Sequence, residues 1–154
     1  DLHYPLRRQR QMCIRDRYSQ FLFIYCHNYI YIYSNGRVGK TLAGRPCLIL
    51  HSTGAKTKLQ RKNVLSYLKE SNSFCIVASN GGREKNPSWY HNLISNPECK
   101  IQIGRKILSG NANQIHDEEY IEWWNKMDNM NKGGYSNYQK MTKRKIPLIL
   151  ISVT

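Results

Sequence analysis

The chain has 154 residues, and its 24 Lys and Arg outweigh 10 Asp and Glu to give a formal net charge of +14. That length suits one domain whose single core needs no staples, and the charge points to a polyanion: nucleic acid, an anionic membrane surface or a phosphate-rich ligand. Five cysteines without a C-x-x-C pair, and no histidine at metal-ligand spacing, argue against zinc or a disulfide framework and fit a reducing, cytoplasmic setting.

Residues 1–17, DLHYPLRRQRQMCIRDR, show neither helical nor strand periodicity, and they concentrate charge in Arg7, Arg8, Arg10, Arg15 and Arg17. The segment is similar to translated sequencing-adapter sequence. It reads as a disordered or non-native basic extension, which leaves 18–154 as the domain. From Tyr18 to Tyr33 the chain turns apolar and aromatic. Its uninterrupted apolar part is about a dozen residues and includes His27 and Asn28, too short and too polar to span a membrane, which takes ~20. Leu22, Tyr25, Cys26, Tyr29, Ile32 and Tyr33 fall at helical spacing, so a helix that packs on the core is expected. A peripheral membrane contact through its tyrosines is the other option.

Asn35, Gly36, Gly39 and Gly44 mark a turn-rich connection, after which Pro46 opens a strand from Cys47 to His51. Ser52, Thr53 and Gly54 then lead into Lys56, Lys58, Arg61 and Lys62, a glycine turn beside four cations that suits a phosphate or carboxylate. The spacing is not that of a nucleotide P-loop. Asn63–Leu68 and Phe74–Ser79 predict a hairpin. Its second strand delivers IVASNGGREKNPSWYHN, in which Ser79, Asn80, Gly81 and Gly82 form a turn and Pro87 starts a helix carrying Trp89, Tyr90 and Asn92. A flat, polar-edged ligand would fit such a strand-to-helix loop. Two short strands follow, Lys100–Gly104 and Lys106–Gly110. A helix begins at Asp117 with an acidic first turn, with Ile121, Trp124 and Met127 toward the core and Trp123 at an edge. Tyr135 and Tyr138 share a face if helical, and Leu148–Val153 is the last strand. These elements predict an α+β, mainly β, antiparallel and partly closed barrel with two to four helices.

No catalytic triad, paired carboxylates or nucleophile elbow is present. A ligand platform without acid-base apparatus makes sense when a cofactor carries the chemistry. The runs GRPCLILHSTGAKTK, VASNGGREKNPSWYHNLISNPE, GYSNYQ and KRKIPLIL resemble the deazaflavin-dependent nitroreductase family, over Tyr29 to Val153.

The resemblance implies a split β-barrel of the FMN-binding type. It also implies coenzyme F-420 as cofactor and hydride transfer to a small electron-poor acceptor: a quinone, a nitroaromatic or an activated alkene. Thr53, Gly54, Lys56, Thr57 and Arg61 would hold the cofactor's phosphate and oligoglutamate tail. Ala78, Ser79, Asn80 and Gly81 would line the deazaflavin ring, with Trp89, Tyr90 and Asn92 completing the pocket. Ser79, Tyr135 and Tyr138 would meet the acceptor. The chain departs from the family pattern at Ala55, Lys58, Asn80 and Lys132. FMN in the same fold, and a non-catalytic nucleic-acid-binding module, are the alternatives; no regular aromatic platform supports the second. Oligomeric state is open.

Overall fold

The computed structural model describes Ser19 and residues 22–153, so the expected extension at 1–17 lies outside the described residues. Six antiparallel strands close a barrel in the order β2 (Arg45–Thr53), β3 (Gln60–Glu70), β4 (Ser73–Val77), β7 (Leu148–Val153), β6 (Lys106–Gln114) and β5 (Glu98–Ile103), with β2 pairing back onto β5. A short β1 (Thr41–Leu42) pairs with the start of β2. Among the described residues four α-helices surround the barrel: α1 (22–33), α2 (Ser88–Ser95), α3 (Asp117–Met130) and α4 (Gly134–Lys140). The fold is the split barrel that the sequence predicts.

The unbroken apolar runs CLIL, FCIV and LILI have a simple cause. Successive strand side chains point to opposite faces, and here both faces are covered. Leu48, Leu50, Phe74, Ile76, Ile149 and Ile151 share the barrel core with Trp89 and Leu93 of α2, which plugs one end. The alternate residues Cys75, Val77 and Leu148 point outward against Tyr120, Trp123, Met127 and Tyr135 of α3 and α4. Fully burying one such aliphatic side chain stabilises the fold by about 1.5–3 kcal/mol. Burial also fixes the buried cysteines as core groups, the Cys75 thiol being pushed up to about 12 and that of Cys99 to about 11.

The structure corrects the expected face of α3. Tyr120, Trp123 and Met127 are buried, whereas Ile121 is 60% exposed and Trp124 only half-buried. The register is set by Tyr120, whose hydroxyl donates to the Ile146 carbonyl at 2.9 Å. Its i+3 and i+7 neighbours must then face inward.

The expected packing face of α1 is corrected too. Leu22, Tyr25, Cys26, Tyr29 and Tyr33 are exposed, Ile32 alone of the expected face packs against the core, and the residue that enters the protein is Tyr31. The Tyr31 hydroxyl donates to the Cys47 carbonyl at 3.0 Å and accepts from the Gly104 amide at 3.1 Å. The turn after α1 sits so close to the β5–β6 hairpin that a Cβ on Gly36 would lie 1.7 Å from the Gly104 oxygen. Among the described residues, no helix is long and apolar enough to cross a membrane.

Strand bounds differ from expectation mainly by extension, because polar strand ends stay paired in a closed barrel: Thr53 faces Gln60 and Glu98 faces Asn111. Ser79 falls beyond β4, which ends at Val77.

Candidate functional site

The β2–β3 turn runs from Gly54 to Lys58, where the Gly54 amide donates to the Leu59 carbonyl and the Lys58 amide to the Gly54 carbonyl. A Cβ on Gly54 would meet the Thr57 hydroxyl at 2.5 Å, so any larger residue there must displace the Thr57 side chain. The buried Asn92 side chain on α2 accepts from the Ala55 amide at 3.0 Å and thereby ties turn to helix. Between them lies a cavity of about 520 Å³ lined by Gly54, Lys56, Thr57, Arg61, Lys62 and Asn92, together with Ser88 and His91 of α2. Three of its lining residues are cations, and none is a carboxylate.

A larger groove of about 740 Å³ opens where β2, β3, β5 and β6 meet, and Thr53 belongs to it. There Thr53 accepts from the Gln60 side chain at 3.0 Å. Glu98 and Lys100 balance in that groove, so it offers an anion no excess of charge. Burial, with Lys62 and Lys100 nearby, holds the His51 imidazole below its ordinary range, against the opposing effect of its hydrogen bond to Gln102. His51 therefore adds no cation there near neutral pH.

The second part of the site is the loop from Ala78 to Pro87. Asn80, Gly81 and Gly82 are all left-handed, with φ of 48°, 63° and 76°. The loop lies under α4, where a Cβ on Gly82 would come within 3.0 Å of both Met141 and the Tyr138 carbonyl. The Asn80 side chain donates to the Lys85 carbonyl at 2.8 Å and closes the loop on itself. Ser79 is half-buried and Gly81 exposed. Tyr138, 36% exposed, stands beside buried Tyr135 with ring centroids 6.5 Å apart. Burial pushes the Tyr135 phenol up to about 12.

The structure brings Gly54, Lys56, Thr57, Arg61 and Asn92 to one cavity and gathers Ala78, Ser79, Asn80 and Gly81 in one loop. Trp89 lies in the barrel core, 5% exposed. The Tyr90 hydroxyl donates to Gln114 on β6 at 2.7 Å. Sequence reasoning, which grouped Lys62 with the loop's cations, missed Ser88 and His91 as members of the cavity lining. It also missed Arg144, whose guanidinium reaches the Ala78–Pro87 loop from beyond α4. The only signal was its position in the KRKIPLIL run, where it reads as one more cation.

A family model described as F420H(2)-dependent quinone reductase matches residues 24–152. The chain belongs to that family. An F420H(2)-dependent quinone reductase of Mycobacterium tuberculosis (strain H37Rv) is 37% identical over 140 residues, covering 89% of this chain and 94% of that protein. Among solved structures, an F420-H2 dependent reductase is 35% identical with a TM-score of 0.65, covering 70% of this chain and 95% of its own. Another, described as a domain-swapped dimer, is 29% identical with a TM-score of 0.66, covering 92% and 98%. As a member of this quinone reductase family the chain is an oxidoreductase that uses coenzyme F-420 to reduce a quinone. The FMN and nucleic-acid alternatives find no support in these relatives.

Proposed function

We propose that the cavity at the β2–β3 turn holds the phosphate and oligoglutamate tail of coenzyme F-420, and that the Ala78–Gly82 loop holds its ring. The observation that carries this reading is the pairing of three cations with no carboxylate in the cavity's lining. A chain of carboxylates and a phosphate is the ligand such a lining suits. Ser88, His91 and Asn92 belong to the helix that follows the ring loop through Pro87, so one continuous segment serves both ends of an elongated ligand.

When bound, the reduced cofactor supplies the hydride. The protein's own part is to place the acceptor and to manage the proton. A quinone that gains a hydride builds negative charge on its oxygens, and a hydroxyl donor aimed there lowers the barrier. Ser79 and Tyr138 are the hydroxyls on this side of the loop with exposure to meet an acceptor. Tyr135 lies beneath Tyr138, and its raised phenol makes it the poorer proton donor and the better support for its neighbour's ring. The same arrangement suits nitroaromatics and activated alkenes, which also gather charge on oxygen as they are reduced.

The test is direct binding of coenzyme F-420 to the purified protein, followed by turnover with a panel of quinones, nitro compounds and enones. Micromolar or tighter binding with quinone turnover is expected; a folded protein without measurable affinity contradicts the site.

A further inference from the structure

Arg144 has no place in the cavity that takes the tail, yet it makes the densest set of side-chain hydrogen bonds in the site. Its Nε donates to the Arg83 carbonyl at 2.9 Å and one terminal nitrogen to the Asn86 side chain at 2.6 Å. The other terminal nitrogen donates to the carbonyls of Ala78 at 3.1 Å and Ser79 at 2.9 Å. One planar fork thus spans the ring loop from its first residue to its last turn. Lysine, a point charge on a flexible stem, cannot reproduce that span.

The consequence lies on the opposite side of two peptide planes. The described chain has no cis peptide bonds, and a trans peptide points its C=O and N–H in opposite directions. The Ala78 carbonyl shares a plane with the Ser79 amide, and the Ser79 carbonyl with the Asn80 amide. Because both carbonyls point at Arg144, both amides point away from it. Among the described residues, the amides of Ser79, Asn80 and Gly81 meet no acceptor. The loop's carbonyls are meanwhile well occupied: Ser79 also accepts from the Gly82 amide, Asn80 from Arg83, and Lys85 from the Asn80 side chain. A segment with its acceptors taken and three successive donors free is built to bind an electron-rich edge.

We propose that Arg144 is the positioning residue of this loop. It fixes two peptide planes so that the amides of Ser79 and Asn80, beside the free amide of Gly81, present donors to the carbonyl-bearing edge of the bound deazaflavin. The proposal rests on the placement of the ring in the loop argued above. It predicts that Arg144 sets affinity for the ring and not for the tail.

The experiment compares wild type, Arg144→Ala, Arg144→Lys and the double variant Lys56→Ala/Arg61→Ala. Each is titrated with coenzyme F-420 and with 8-hydroxy-5-deazaflavin lacking phosphate and glutamates. Hydrogen exchange of the Gly82 and Arg83 amides is followed in parallel. Arg144→Ala should weaken both ligands by the same factor, about 10- to 100-fold for the loss of charge-assisted bonds, and should speed exchange at Gly82 and Arg83. Arg144→Lys should keep the fold and fall between. The double variant should lose affinity for the tailed ligand only.

Unchanged ring affinity and exchange in Arg144→Ala would overturn the proposal, as would a lysine variant equal to wild type. If Arg144→Ala does not fold, the lysine variant decides. Should wild type bind neither deazaflavin, the cofactor placement fails; the exchange rates then decide whether Arg144 holds the loop.

Discussion

Replacing Lys56 and Arg61 together by alanine should weaken coenzyme F-420 binding by a factor set by salt. Both side chains are exposed at the rim of the anion cavity, so the dielectric that applies is close to that of water. A unit charge about 5 Å from an anionic oxygen is then worth about 0.8 kcal/mol, or about 1.7 kcal/mol for the pair. At about 0.01 M salt the screening length is about 30 Å and little is lost, which predicts a drop in affinity of about tenfold. At about 1 M the length falls to about 3 Å, and the same pair contributes about 0.3 kcal/mol, less than a twofold change. The assay is titration of wild type and double variant with the cofactor across that salt range. Equal affinities at low salt, or a loss that salt does not erode, would refute the electrostatic reading of the cavity.

Tyr138→Phe should leave stability within about 0.5 kcal/mol, since the ring stays and the residue is partly exposed. It should slow quinone turnover by at least about tenfold with cofactor affinity unchanged; unchanged turnover removes the phenol from proton delivery. Gly36→Ala should destabilise by at least about 2 kcal/mol, because the new Cβ would meet the Gly104 oxygen at 1.7 Å in a left-handed turn. A wild-type unfolding midpoint would show that α1 is not docked there. The phenols of Tyr120 and Tyr135 are pushed up to about 12 by burial, so the unfolded chain ionises first and stability should be full below about pH 10 and decline toward about 12. Denaturant unfolding of Tyr120→Phe/Tyr135→Phe should show a shallower decline over that window, and parallel curves would contradict it.

Much of the fold was legible because a barrel with covered outer faces writes itself as short apolar runs, and the final strand, Leu148–Val153, has the bounds its pattern predicts. The phase of α3 was not legible. Ile121, Trp123 and Trp124 are all apolar, and the choice among them rests on the Tyr120 to Ile146 hydrogen bond, a contact 26 residues apart. The face of α1 was hidden for the same reason: an aromatic on every side gives no preferred stripe, and Tyr31 is selected by its two backbone partners on β2 and the β5–β6 hairpin.

In the site, the cations at 56, 61 and 62 were visible as a cluster because they are close in sequence. Thr53 and Gly54 are adjacent in the chain yet line different cavities, since Thr53 is the last residue of β2 and Gly54 the first of the turn that leaves it. Arg144 could not be found from the chain alone. Its partners lie 58 to 66 residues away, and nothing in composition separates a cation that faces water from one that holds a loop.

The central claim, that one elongated site joins a cationic tail cavity to a donor-rich ring loop and reduces quinones, is tested most directly by mixing the purified protein with reduced coenzyme F-420 and a quinone. Cofactor oxidation and hydroquinone formation should be followed together. The account predicts equal amounts of both, at a rate that saturates with cofactor and falls in Lys56→Ala/Arg61→Ala at low salt. A folded protein that leaves the reduced cofactor unoxidised in the presence of quinone would contradict it.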